Sequence, residues 1–136
     1  MKKYQIQNTP FVVPTTDGKL IEEHFGKATD GNSQISIAHM IAPPHWHEPF
    51  QTPEFAEYTY IIKGKKQFII EDEVIILETG QSIKIEANTR VQYSNPFEEV
   101  CNTFRFVHLL LILQKCIGKI SFQLSVIRYG LWVEGF

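Results

Sequence analysis

The chain has 136 residues, a net charge of −2 and only two cysteines. That length suits one domain. The negative balance argues against nucleic acid or an anionic membrane as main partner, because both select a basic face. Two cysteines do not make a secreted disulfide scaffold.

The N-terminus, Met1 to Gln7, has no apolar run behind Lys2 and Lys3, so no signal peptide is expected. The longest apolar stretch, Phe106 to Leu113, is far short of the ~20 residues that cross a bilayer. The expected compartment is the cytoplasm.

Along the chain the period is mostly two. Gln34 to Ile41 alternates and reads as a strand, and Tyr58 to Ile62 is aromatic and β-branched. Gln67–Glu71 and Glu73–Leu77 are short apolar runs on either side of Asp72, which predicts a hairpin. Ser82–Glu86 and Arg90–Ser94 follow as further strands. Breakers fall between the runs at Gly64, Thr79-Gly80, Asn88 and Asn95-Pro96. Short, closely spaced strands without a convincing helix predict a sandwich or barrel. The stretch from Pro43-Pro44 to Pro53 breaks this rhythm, and loops on a rigid barrel are where sites sit.

That loop holds His45-Trp46-His47. Residues two apart on an extended chain point to one face, so two imidazoles can meet one cation. Zinc, copper, iron and nickel accept imidazole, and two histidines with one carboxylate leave positions open for substrate. Trp46 between them reads as a packing or pocket-wall residue. Ten residues after His47 comes Glu57, and seven further on comes Gly64.

In these residues the chain resembles the cupin superfamily, as a small single-domain type-2 cupin. The family's first motif is a His-x-His pair, a glutamate, six residues and a glycine, and His45, His47, Glu57 and Gly64 take those places. The gap from His47 to Glu57 is longer than the family's, which leaves Glu54 as an alternative to Glu57. Gly80 and Asn95 bracket the second motif, but its metal histidine is Val91 here. Gln92 and Tyr93 are the nearest polar replacements, and on a regular strand only Tyr93 shares the face of Val91.

The resemblance covers roughly residues 34 to 100. It implies an all-β, double-stranded β-helix or jelly-roll barrel with the site inside, often as a homodimer. It also implies one divalent metal (iron, manganese, nickel or zinc) held by His45, His47 and Glu57. Glu54 and Tyr93 are the candidate general acids or bases. The expected partner is a small molecule, either the substrate of an isomerase, lyase or dioxygenase, or the ligand of a non-catalytic binding cupin. A metal-free barrel acting through dimerisation is the third reading. Fold alone does not choose among them.

The remaining polar residues read plainly. His24 and His39 are expected on the surface or satisfied in the core. His108 is ambiguous, since a returning strand would carry it toward the missing ligand position. Glu71-Asp72-Glu73 and Glu98-Glu99 are expected in solvated turns, and Lys63, Lys65 and Lys66 in water. Phe50 and Phe55 either wall a pocket or pack the long loop. Cys101 reads as a small buried residue.

Residues 1 to 100 hold 14 of the 15 acidic residues, and none lies between Val100 and Val133. The cupin domain is therefore placed at 1–115, with 102–136 as an atypical tail. Thr103 to Leu113 would supply a returning strand, and 117–136 a strand pair or a poorly ordered end. A shifted reading frame is the other origin considered. With one nucleotide restored, a permitted back-translation of residues 102–106 reads Glu-Tyr-Ile-Ser-Ile, the family's expected continuation.

Overall fold

Alternating burial builds almost every element. In the computed structural model, which describes residues 2–108, ten strands and one helical turn follow in chain order. They are β1 (Phe11–Val12), β2 (Leu20–Phe25), α1 (Lys27–Asp30), β3 (Ile35–Ala42), β4 (Trp46–His47) and β5 (Glu57–Lys63). Then come β6 (Lys65–Ile70), β7 (Glu73–Glu78), β8 (Ser82–Ile85), β9 (Val91–Asn95) and β10 (Cys101–His108). One sheet has the order β1-β2-β3-β10-β5-β8, the other β4-β9-β6-β7. All pairings are antiparallel.

The sheets share one core, because period-two side chains give each strand one apolar face. Ala38, Met40, Ile61 and Cys101 from the larger sheet pack with Trp46, Phe68, Val91 and Tyr93 from the smaller. Phe68 is fully buried, and burying such a side chain contributes about 2–3 kcal/mol. The hairpin turns at Glu71-Asp72, where Glu71 takes φ 53 between β6 and β7.

Gly64 joins β5 to β6 at φ 89, and a Cβ there would stand 2.6 Å from the Val100 carbonyl oxygen. The turn can therefore press against the entry of β10 only as glycine. Asn95, fully buried at the end of β9, ties the same approach to β10. Its Nδ2 donates to the carbonyls of Pro43 at 3.0 Å and Glu99 at 2.8 Å.

Beyond the short β1, α1 and β4, which the sequence reading did not predict, two elements depart from it. β2 was not foreseen, because Glu22-Glu23 breaks the apolar alternation. Glu23 is nonetheless buried, and its carboxylate accepts from the Ala28 and Thr29 amides of α1. The strand expected over Thr103–Leu113 begins two residues earlier and runs through His108. It lies between β3 and β5 and buries Cys101, Thr103, Arg105 and Val107. Residues 109–136, with the rest of the expected tail, lie outside the described residues.

Candidate functional site

The site is set by how the chain leaves β3. After Pro43-Pro44, His45 adopts φ 60, a left-handed conformation that non-glycine residues seldom take. The twist turns Trp46 inward, where it is buried and its Nε1–H donates to Asp17 Oδ2 at 2.8 Å. His45 and His47 are left exposed on either side of it. His45 Nε2 lies 3.0 Å from Glu98 Oε2 at the surface. Beyond them Glu48 is buried, only 3% exposed.

Glu57 faces the interior, 1% exposed, and its two carboxylate oxygens are both used. The Tyr93 hydroxyl donates to one and Arg105 Nη2 to the other. Burial first, and then the Glu57 charge, pushes the Tyr93 pKa well above its ordinary value, so Tyr93 stays a protonated donor. Burial works against the Arg105 charge, but Glu57, Tyr93 and Glu48 outweigh it and raise the Arg105 pKa. Among the described residues Arg105 Nε is nevertheless a buried donor without a partner.

A second polar group lies beside this one. Lys19 Nζ donates to Glu48 Oε2 at 2.8 Å and lies 3.4 Å from Asp17, whose side chain is partly exposed. Gln51 Nε2 donates to the other Glu48 oxygen at 2.8 Å. Burial raises the Glu48 pKa, with Lys19 opposing it.

Lys66 is the third buried cation, 3% exposed, and among the described residues it meets no carboxylate within ion-pair distance. Its ammonium lies 5.2 Å from the Tyr93 ring centre and 5.8 Å from those of Trp46 and Phe68. Its hydrogen-bond contact is the Met40 sulfur at 3.8 Å. Burial lowers its pKa to about 8.

The expected ligand set is therefore not assembled in this arrangement. Glu57 and Tyr93 are brought together inside the barrel, whereas His45 and His47 face solvent because the left-handed residue shifts the inward position to Trp46. Among the described residues no three His, Cys, Asp or Glu side chains are grouped to hold a metal ion. The donor chemistry agrees: Arg105 and Tyr93 already occupy Glu57, and Lys19 and Gln51 occupy Glu48. The residues present do not fit a divalent metal at this place.

Glu54 is exposed and away from the cluster, Val91 shares the buried face of Tyr93, and His108 is exposed at the end of β10. His39 Nε2 lies 3.2 Å from Asn102 Oδ1, and Phe55 is buried. Arg90 stacks 3.7 Å over the Phe50 ring at the surface of the long loop. Lys63 and Lys65 are exposed, but the expectation that Lys66 points to water is corrected. Lys66 shares strand parity with Phe68, and that parity was the available signal. Arg105 likewise shares parity with Cys101, Thr103 and Val107. On the outer side of β5, β8 and β10 a groove of about 460 Å³ runs between Tyr58, Tyr60, Phe104, Phe106 and Lys84.

A family model described as a cupin domain matches residues 38–107. Endoribonuclease YbeY of Myxococcus xanthus is 35% identical over 91 residues, which are 67% of this chain and 31% of that protein. The chain thus spans less than a third of that relative's length. A Cupin 2 conserved barrel domain protein from Salinispora arenicola aligns with TM-score 0.65 at 10% identity, covering 82% of this chain and 96% of that one. An RmlC-like cupin with a double-stranded β-helix fold, from Methanocaldococcus jannaschii, aligns with TM-score 0.61 at 16% identity, covering 77% and 93%. These structures share the fold, the family match spans just over half of the chain, and the chain belongs to the cupin domain family.

Proposed function

We propose that this cupin domain is a non-catalytic binding module that takes a small polar molecule inside its barrel. The observation that carries the reading is the buried Lys66, which among the described residues has no carboxylate at ion-pair distance, beside two satisfied ion pairs. A buried charge without a partner costs stability, so a barrel that only had to fold would do better with an apolar side chain there. The catalytic candidates support binding rather than turnover. Tyr93 is committed to Glu57, and Glu54 lies outside. A small molecule also suits the negative net charge and the buried cations better than a nucleic acid, which needs a basic surface.

Thermal-shift screening of the purified chain against small acids, sugars and amines, beside elemental analysis for metal, tests this reading. A ligand that raises the melting temperature, with metal well below one equivalent, is the expected result. Near-stoichiometric metal that is lost in His47→Ala would overturn it and restore the metal-dependent reading.

A further inference from the structure

Lys66 and Arg105 stand on opposite sheets, yet both lie against one ring. The Lys66 ammonium and the Arg105 guanidinium carbon are each 5.2 Å from the Tyr93 ring centre. Each also has unused donor capacity. Among the described residues Arg105 Nε–H is buried without an acceptor, and Lys66 has only the Met40 thioether, a weak acceptor at 3.8 Å. The other buried charges nearby are already paired, Lys19 with Glu48 and Glu57 with Arg105 Nη2.

Resting on the binding reading above, we infer that the recognised group of the ligand is a single carboxylate. It sits between Lys66 Nζ and Arg105 Nε and displaces the Met40 sulfur. Methionine is the side chain most able to make way, being unbranched and flexible. An anion suits the site because Lys66, among the described residues, is a buried cation with no carboxylate at ion-pair distance, the Glu48 charge reaching it only from farther off. A carboxylate accepts from both donors at once, whereas a neutral hydroxyl leaves the ammonium uncompensated.

The groups facing Lys66 from the packed elements are Met40 of β3, Trp46 of β4, Glu48, Tyr93 of β9 and Cys101 and Arg105 of β10, with Lys19 beyond them. Burial raises the pKa of the Cys101 thiol and of Glu48, and Tyr93 stays protonated; Lys66 is the cation among these groups that loses its charge near pH 8. Carboxylate affinity accordingly falls as pH rises through about 8.

The test is calorimetric titration of the full chain with acetate and pyruvate, and with acetamide as the neutral isostere of acetate. Carboxylates are expected to bind and acetamide not to. Lys66→Met should weaken carboxylate binding by about tenfold or more, as loss of a charged hydrogen bond does. Lys66→Gln, which keeps a polar side chain, serves as the second variant should the first not fold. Acetamide binding as well as acetate, or carboxylate binding unchanged in the folded Lys66 variants, overturns the inference while leaving a binding barrel. Binding of no probe and no screened compound overturns both readings.

Discussion

Replacing Lys66 by methionine should make the protein more stable at neutral pH. The ammonium is buried and its pKa falls from 10.5 to about 8. At about 1.4 kcal/mol per pKa unit, this disfavours the folded state by on the order of 3 kcal/mol while Lys66 is charged. Methionine matches the length of the stem and forfeits only the attraction of the surrounding rings, about 1 kcal/mol. The net gain at pH 7 is therefore about 2 kcal/mol. The pH dependence has a fixed sign. Between about 8 and 10.5 the unfolded chain holds the Lys66 proton and the folded chain does not, so wild-type stability from this group rises with pH. Tyr93 and Cys101, whose folded pKa values are raised, lower stability above their ordinary values; Tyr93 does so in both proteins, while Cys101, whose thiol Lys66 pulls down, does so more in the methionine variant. Urea unfolding of the two chains at pH 7 and pH 9.5 isolates the Lys66 contribution. The reasoning fails if Lys66→Met is no more stable at pH 7, or if its advantage does not shrink toward pH 9.5.

Other perturbations probe the scaffold around the site. Gly64→Ala places a Cβ 2.6 Å from the Val100 carbonyl at φ 89, so it should lose more than about 2 kcal/mol in chemical denaturation. His45→Gly relieves the left-handed backbone and should be neutral or stabilising by up to about 1 kcal/mol in the same assay. A clear loss there would mean the imidazole holds more than Glu98. Glu57→Gln leaves Arg105 charged and buried without its counter-charge and should cost about 3–5 kcal/mol. Adding Arg105→Met to it should recover part of that loss, and failure to recover would place the value of Glu57 in its Tyr93 bond instead.

Where one face of a strand is buried, the sequence was enough. Gln34 to Ile41 alternates because a register slip would put its buried side chains in water, and the hairpin about Asp72 was legible from two short apolar runs instead. β2 escaped notice because its second glutamate is buried, held by the amides of α1 rather than by water. The site was harder to read for a different reason. Whether His45 and His47 or Trp46 and Glu48 enter the barrel depends on one backbone angle, φ at His45, and no period-two pattern encodes it. Lys66 was hidden by its company: beside Lys63 and Lys65 it reads as a solvated turn, although its parity with Phe68 points inward.

The positions that match the cupin motifs divide along a physical line. Gly64 and Gly80 lie at φ 89 and 88, and the fully buried Asn95 bridges carbonyls from two chain segments. The backbone path itself demands these residues, so any sequence folding this way must supply them or equivalents. A metal ligand meets no such demand. Val91 is fully buried in the place of the missing histidine and packs with the core. Glu57 keeps its place but gives its oxygens to Tyr93 and Arg105. Residues that shape the barrel and residues that fill it are thus constrained separately. The motif spacing can predict the fold while the chemistry inside follows the buried charges, among which Lys66 has no ion-pair partner within the described residues.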